Sequence, residues 1–220
     1  MKLVFATGNS AKLREAGEIL GEGFTLVTPQ QLGIESDLPE TGSSLRANSL
    51  QKAKFIYDSC GQDCFADDTG LEVEILNGAP GVFTARYAGG DGHDHKANMR
   101  KLLEDMSHAG AEASRAREWG ISTSHDNRKA RFRTVVTLLL EGKPLFFEGT
   151  VEGEIAKEEA GCGGFGYDPI FIPDEIPYAG LMVKNTSRLT MAELPEEDKN
   201  LISHRGRALR AMAAYLKSLE

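Results

Sequence analysis

The sequence has 220 residues, of which 40% are hydrophobic and 26% charged, as expected for a folded globular protein rather than a disordered or fibrous chain. Its formal net charge of −8 at pH 7 argues against non-specific binding to a nucleic-acid backbone or to an anionic membrane. No apolar run approaches the roughly 20 residues of a membrane-spanning helix, and the first residues turn polar too soon for a signal peptide.

The first half of the chain predicts strands that alternate with helices, because short apolar runs are followed by stretches with helical periodicity. The predicted elements are strands at residues 4–6, 24–27, 65–66 and 71–76, and helices after residue 9, from about 44 to 60 and near 98–106. Residues 107–129 are polar and predict an irregular surface segment.

The second half predicts a long hairpin, a glycine-rich loop and a final helix. Residues 130–140 and 145–155 read as the hairpin strands, and residues 161–166 as the loop. The helix begins near Pro195, a favoured first helical residue. Together with the first half, this order predicts an α/β protein with a mixed sheet.

The three cysteines match no zinc or redox spacing, which predicts reduced thiols and a cytoplasmic protein. They are Cys60, Cys64 and Cys162.

The segment TGNSAK, from Thr7 to Lys12, lies where the first strand leads into the first helix. The free N–H groups of a helix start, a hydroxyl, an amide and a lysine suit the binding of an anion. The segment is not a Walker A loop, because G-x-x-x-x-G-K-[ST] occurs nowhere in the sequence. A capped turn with a surface lysine explains these residues at least as well.

Two polar pairs suggest further chemistry. Asn48 and Lys52 are four residues apart on one helix face, which suits either phosphate contacts or a solvated polar stripe. Asp67 and Asp68 follow an apolar strand, a position typical of a site for a hard cation or a catalytic water. Successive strand residues point to opposite faces, so the two have different roles unless the strand has already ended. The alternative is an Asx-type turn with a solvated second aspartate.

The glycine-rich loop matches G-x-G-x-x-G without its usual context. Pro169 stands where a Rossmann helix should begin, and Asp168 where a kinase loop has valine. What remains is a loop that presents Phe165, Tyr167 and Asp168 to a nucleobase by stacking and edge recognition. A phenylalanine buried under a glycine turn is equally compatible.

Several polar residues gather in the first turns of the last predicted helix: Lys199, Asn200, Ser203, His204 and Arg205. Gly206 beside them costs about 1 kcal/mol relative to Ala in a helix interior, which indicates a close packing contact there. A capped surface helix is the alternative.

Six blocks follow one another in the chain: TGNSAK, ETG before the helix of Asn48 and Lys52, FADDTGLEV, GAPGVFTARYAG, GGFGYDPIF and AELPEEDKNLISHRGRAL. In this order they resemble the inosine triphosphate pyrophosphatase family, from residue 3 to about residue 210. The resemblance implies an elongated mixed β-sheet flanked by helices, with two lobes and a central nucleotide-binding cleft. It also implies a single domain over residues 1–220 and a homodimer. Residues 107–129 and 174–190 depart from the family pattern.

The resemblance also implies roles for individual residues. Those that resemble the family's triphosphate-binding groups are Thr7, Asn9, Lys12 and Lys52, with Gly8 and Thr69 beside them. Those that resemble the pocket for the base and its sugar-phosphate edge are Phe165, Gly166, Tyr167, Asp168, Lys199, Ser203, His204 and Arg205. Glu40 and Asp67 resemble metal-binding carboxylates, and Asp68 resembles the catalytic acid and a further metal ligand. Glu40 is implied by the resemblance alone.

The function implied is magnesium-dependent hydrolysis of ITP, dITP and XTP to the monophosphate and pyrophosphate. Water attacks a phosphoryl group directly, Asp68 accepts its proton, and Mg²⁺ and the two lysines neutralise charge. The expected partner is a small nucleotide, with no nucleic acid and no membrane. One alternative is a pyrophosphatase for other modified nucleotides, and another is a nucleotide sensor without turnover, which the paired aspartates disfavour.

Overall fold

The computed structural model describes residues 1–34, 38–90, 94–118, 127–164 and 166–219. Its strands are β1 Lys2–Phe5, β2 Thr25–Val27, β3 Cys64–Val73, β4 Lys129–Leu140, β5 Lys143–Ile155, β6 Phe171–Pro173, β7 Glu175–Tyr178 and β8 Leu181–Lys184. Its α-helices are α1 Ser10–Leu20, α2 Leu45–Cys60, α3 His95–Glu118, α4 Glu196–Ile202 and α5 His204–Lys217.

Six strands form one mixed sheet in the order β2-β1-β3-β4-β5-β6. β1 is parallel to both β2 and β3, whereas β5 and β6 are antiparallel. This arrangement confirms the predicted α/β fold with a mixed sheet flanked by helices. β7 and β8 pair with each other in a separate two-stranded sheet.

The chain divides into two compact units. Unit 1 comprises Met1–Thr69, Arg133–Thr150 and Ser203–Glu220, and unit 2 comprises Gly70–Phe132 and Val151–Ile202. The cleft between two lobes stays a prediction.

Unit 1 has hydrophobic residues on both faces of its strands, as buried strands require. Phe5 of β1 stacks on Phe65 of β3 with ring centroids 4.3 Å apart, in a cluster that includes Leu209 of α5. The alternate strand residues Val4 and Ala66 join a second cluster that contains Ile56 of α2. The period of two therefore places helices on both faces of these strands.

Unit 2 has its own core. Leu102 and Met106 of α3 pack in one buried cluster with Phe171 of β6 and Ile155 of β5. Residues 174–190, the predicted departure from the family pattern, include the β7–β8 hairpin.

Three predicted elements differ from those observed. The irregular segment 107–129 is wrong up to residue 118, because α3 continues to Glu118, while residues 119–126 lie outside the described residues. The separate strand at 71–76 is also wrong, since β3 runs unbroken to Val73 and a 3₁₀ helix covers Glu74–Leu76.

The third difference is the final helix, which is two helices. Ser203 has a ψ of 138°, and its hydroxyl accepts a hydrogen bond from the N–H of Gly206. This is an N-cap, so α4 ends before Ser203 and α5 begins after it.

The predicted hairpin is confirmed in β4 and β5. Glu141 and Gly142 have φ of 49° and 74°, the pair of positive values that a two-residue type I′ turn requires.

The cysteines are free thiols, as predicted. Burial raises the pKa of Cys64 to about 12, so its thiolate is scarce and the side chain serves the core. In the part of the chain that the structure describes, no helix is long and apolar enough to cross a membrane.

Candidate active site

The two adjacent aspartates lie inside β3, not after it. Asp67 is 1% exposed and Asp68 is 8% exposed. The strand continues through both of them, so they point to opposite faces, as the alternation predicts. The Asx-turn interpretation is therefore wrong.

Asp67 is held between two cations. Lys12 Nζ lies 3.0 Å from its Oδ1, and Arg205 Nε lies 3.0 Å from its Oδ2. Burial disfavours its ionised form, but Lys12 and Arg205 outweigh burial and lower the pKa of Asp67. Asp67 is therefore a permanent anion that anchors α1 and α5 to the sheet.

Asp68 faces α2, where two residues four apart contact it. Lys52 Nζ lies 3.1 Å from Oδ1, and Asn48 Nδ2 donates to Oδ2 at 3.2 Å. Burial raises the pKa of the Asp68 carboxyl, and Lys52 offsets part of that rise. The carboxylate is thus oriented at both oxygens and is more basic than an exposed aspartate.

The same two α2 residues also hold the loop before the helix. Lys52 Nζ lies 2.5 Å from Glu40 Oε1, and the N–H of Gly42 donates to Asn48 Oδ1 at 2.7 Å. Asn48, 1% exposed, is therefore a bridge between this loop and Asp68 rather than part of a solvated stripe.

Glu15 of α1 also takes part in these contacts, although its sequence context did not predict a role for it. Its carboxylate accepts from Arg205 Nη1 at 2.7 Å and from Ser203 Oγ at 3.1 Å. The signal that could have identified it is its spacing, since Glu15 and Lys12 are three residues apart on one helix face.

The TGNSAK segment forms a capped turn. Thr7 Oγ1 accepts from the N–H of Asn9, and Asn9 Oδ1 accepts from the N–H of Lys12. Gly8 is exposed. The surface-lysine alternative is wrong, because Lys12 reaches the buried Asp67.

His204, the first residue of α5, joins a chain of hydroxyl groups. Its Nδ1 lies 2.6 Å from Thr134 Oγ1, which lies 2.7 Å from Thr69 Oγ1. An added Cβ at Gly149 of β5 would collide with the carbonyl oxygen of His204. The start of α5 therefore lies directly on the sheet at Gly149, and the close contact expected at Gly206 itself stays a prediction.

The remaining predicted residues lie in unit 2. Lys199 Nζ lies 3.0 Å from Asp168 Oδ2. Gly164 has a φ of 76°, and an added Cβ would collide with the Asp168 carboxylate. Tyr167 is 3% exposed and its hydroxyl donates to the carbonyl of Thr84 at 3.0 Å, so its ring belongs to the core of unit 2.

Two further predicted residues, Gly166 and Phe165, belong to the glycine-rich loop. Gly166 has a φ of 64°, which favours glycine. Phe165 lies outside the described residues.

His204 makes the free energy of unfolding depend on pH. Burial, and then Arg205, lower the pKa of His204 to about 3, against 6.5 for an ordinary histidine. The unfolded chain therefore binds this proton more tightly than the folded one, and stability falls as pH drops from 6.5 towards 3. We expect His204→Gln to show a shallower loss of unfolding free energy than the parent between pH 7 and pH 5 in urea titrations. Parallel curves would contradict this.

The structure thus brings most of the predicted residues together within unit 1. They are Thr7, Asn9, Lys12, Glu40, Lys52, Asp67, Asp68, Thr69, Ser203, His204 and Arg205. Charged groups thus surround Asp67 and Asp68 on the two faces of β3, and they interact across the strand, since Asp67 as well as Asp68 raises the pKa of Lys52. Such a group of carboxylates, lysines and an arginine can bind a polyphosphate and support proton transfer to Asp68. Gly166, Tyr167, Asp168 and Lys199 are grouped separately in unit 2.

Comparison with known proteins gives consistent matches over the whole chain. The sequence model of the Ham1 family matches residues 3–215. The chain is 45% identical over 215 residues to the dITP/XTP pyrophosphatase of Porphyromonas gingivalis, covering 98% of this chain and 97% of that protein. It is 41% identical over 216 residues to the dITP/XTP pyrophosphatase of Flavobacterium johnsoniae, covering 98% of each. A Ham1 protein structure from Coxiella burnetii superposes with a TM-score of 0.82, at 34% identity and 99% coverage of both chains.

Proposed function

This chain belongs to the Ham1 family, and on that premise we propose that it hydrolyses dITP, ITP and XTP to the monophosphate and pyrophosphate. The relatives named above make it a nucleoside triphosphate pyrophosphohydrolase. The observation that carries the proposal is Asp68 itself: a buried carboxylate that Lys52 and Asn48 hold at both oxygens, among several cations.

Asp68 is the proposed proton acceptor. Lys52 and Asn48 orient its two oxygens, which limits the positions of a bound water. As water attacks the phosphoryl group, a proton passes to the Asp68 carboxylate while the bond to the leaving pyrophosphate breaks. No covalent enzyme intermediate is required.

Lys12 and Lys52 are the proposed phosphate-binding cations. Each is paired with carboxylates, Lys12 with Asp67 and Lys52 with Asp68 and Glu40. Burial lowers the pKa of Lys12, whereas nearby aspartates outweigh burial and raise the pKa of Lys52. Lys52 therefore keeps its positive charge for the phosphates at neutral pH.

The carboxylates fit a magnesium ion. Glu40 Oε1 and Asp68 Oδ1 come from separate segments and converge on one cationic atom, Lys52 Nζ. Among the described residues, no three Asp, Glu, His or Cys side chains form a metal cluster on their own. Magnesium needs only one or two protein carboxylates, because it completes its shell with waters and substrate phosphates.

We propose Glu40 and Asp68 as magnesium ligands. Asp67 stays a predicted ligand; its two oxygens lie against Lys12 and Arg205, as those of Asp68 lie against Lys52 and Asn48. Bound magnesium would polarise the phosphoryl oxygens and neutralise developing charge. A cytoplasmic location and a homodimer complete the proposal.

The products test the function. With Mg²⁺, dITP and ITP should each yield the monophosphate and one equivalent of pyrophosphate, resolved by anion-exchange chromatography without added pyrophosphatase. Turnover should stop with EDTA and return with excess Mg²⁺. Release of orthophosphate and the nucleoside diphosphate would contradict the proposed cut, and binding without turnover would favour the sensor.

A further inference from the structure

Lys52 places a positive charge between the two carboxylates that are proposed above as magnesium ligands. Its Nζ lies 2.5 Å from Glu40 Oε1 and 3.1 Å from Asp68 Oδ1, and its side chain is 5% exposed. Burial disfavours the ammonium, but Asp68, Asp67 and Glu40 outweigh burial and raise the pKa of Lys52. Magnesium requires oxygens at about 2.0–2.1 Å, so it cannot bind Glu40 and Asp68 together while the ammonium lies between them.

The loop that carries Glu40 is bonded to α2 by contacts other than Lys52. Gln51 makes two hydrogen bonds to Thr41, the residue after Glu40. Its Nε2 donates to Thr41 Oγ1 at 2.9 Å, and its Oε1 accepts from the N–H of Thr41 at 3.0 Å. The backbone next to Glu40 therefore keeps its place on the helix when the Lys52 side chain moves.

Asp68 is also held by a second contact. Asn48 Nδ2 donates to Asp68 Oδ2 at 3.2 Å, and Asn48 Oδ1 accepts from the N–H of Gly42 at 2.7 Å. An added Cβ at Gly42 would lie 2.8 Å from Asn48 Oδ1, so this contact depends on a glycine. Since Asn48 holds only Oδ2, departure of Lys52 would leave Oδ1 open to another cation.

We propose that Lys52 is a resident cation that excludes magnesium from Glu40 and Asp68 until a nucleotide binds. The phosphates of a nucleotide offer the ammonium other oxygens, so Lys52 leaves the two carboxylates and their oxygens become available to the metal. Nucleotide and metal then each raise the affinity of the protein for the other, as linkage requires. The identity of this metal and of the nucleotide rests on the proposed function.

Binding of Mn²⁺, a paramagnetic substitute for Mg²⁺, tests the proposal without turnover. EPR measures free Mn²⁺ in titrations of the full-length protein without nucleotide, at one pH and one ionic strength. We expect Lys52→Met to bind Mn²⁺ at least about tenfold more tightly than the parent, the scale of one hydrogen bond to a charged group. Equal Mn²⁺ affinity in the parent and in Lys52→Met would overturn the proposal.

Two double variants of equal net charge locate the gained site. Lys52→Met is combined with Glu40→Gln in one, and with Asp58→Asn in the other, where Asp58 is an exposed residue of α2. We expect the first to return to the parental Mn²⁺ affinity and the second to keep the gain. Lys54→Met removes an exposed lysine of the same helix and should bind Mn²⁺ as the parent does. A gain that persists without Glu40, or that appears in Lys54→Met, would overturn the proposal.

Thermal unfolding provides a second measurement, because Lys52→Met leaves two carboxylates without their cation. We expect Mg²⁺ to raise the melting temperature of Lys52→Met more than that of the parent, since the ion binds where the ammonium was. If Lys52→Met does not fold, Lys52→Gln replaces it in both measurements, because it removes the charge and keeps hydrogen-bond donors. An equal effect of Mg²⁺ on parent and variant would contradict the proposal.

The proposed function is tested separately. If the parent failed to hydrolyse dITP, the function would fail while a gain of Mn²⁺ binding in Lys52→Met stood. If the parent hydrolysed dITP and Lys52→Met gained no Mn²⁺ affinity, the function would stand and the role of Lys52 as a resident cation would fail.

Discussion

We expect Asp68→Asn to lower kcat by about 10²-fold or more, the scale of general-base assistance, while nucleotide affinity at saturating Mg²⁺ changes little. An amide has the shape of the carboxylate but is not a base at neutral pH. Lys52 and Asn48 are both donors toward Asp68, and an asparagine there keeps an acceptor for only one of them. Steady-state kinetics with dITP, and equilibrium binding of a non-hydrolysable analogue, separate turnover from affinity.

A matched aspartate controls for the loss of charge. Asp63 also lies in unit 1, and its carboxylate accepts from the backbone N–H of Glu141 at 2.8 Å. Asp63→Asn should retain near-parental kcat. If Asp68→Asn retained it as well, Asp68 would not be the base, and the proton would have to pass to another group.

The sequence predicted those parts of the fold that depend on local patterns. The apolar runs of β1 and β4, the helical periodicity of α1 and the turn between β4 and β5 each follow from neighbouring residues. The full length of β3 was not predicted, because burying two adjacent aspartates in a strand is costly unless cations pair with them. Those cations, Lys12, Lys52 and Arg205, come from distant positions in the chain.

The residues of the site could likewise be predicted only where their local sequence is distinctive. Asp67, Asp68 and Lys12 were selected because carboxylates after an apolar strand and a lysine at a helix start have recognisable chemistry. Glu15 and Thr134 were missed because glutamate on a helix and threonine in a strand are ordinary surface and β-strand residues. Only their partners, Arg205 and His204, give them a role.

The largest expected effect is the difference in kcat/KM between nucleotides with a 6-oxopurine and those with a 6-aminopurine. Hypoxanthine and xanthine present O6 as acceptor and N1–H as donor, whereas adenine presents the reverse pair. A site built around donors for O6 would leave buried groups unpaired with adenine, which can support discrimination of about 10⁴-fold. We expect kcat/KM for ITP and XTP to exceed that for ATP by this order, measured under one set of conditions. Guanine shares O6 and N1–H, so its rejection requires a separate device against the 2-amino group.

Arg205 is the donor we propose for O6, and the structure shows how to test it without unfolding the protein. Its guanidinium bonds Asp67 through Nε and Glu15 through Nη1. Truncation to alanine would leave Glu15 without its guanidinium partner and Asp67 with Lys12 alone, and breaking a buried ion pair in this way costs about 3–5 kcal/mol.

Arg205→Lys keeps the positive charge but loses the planar fork that fixes donor directions. We expect it to fold and to narrow the ITP-to-ATP ratio of kcat/KM at least tenfold. Arg207→Lys is the matched control, because Arg207 lies on the same helix and its Nη1 bonds the carbonyl of Thr150 at 2.8 Å. Comparable kcat/KM for ATP and ITP in the parent would contradict recognition of O6 by any donor. An unchanged ratio in Arg205→Lys would instead assign that recognition to a group other than this arginine.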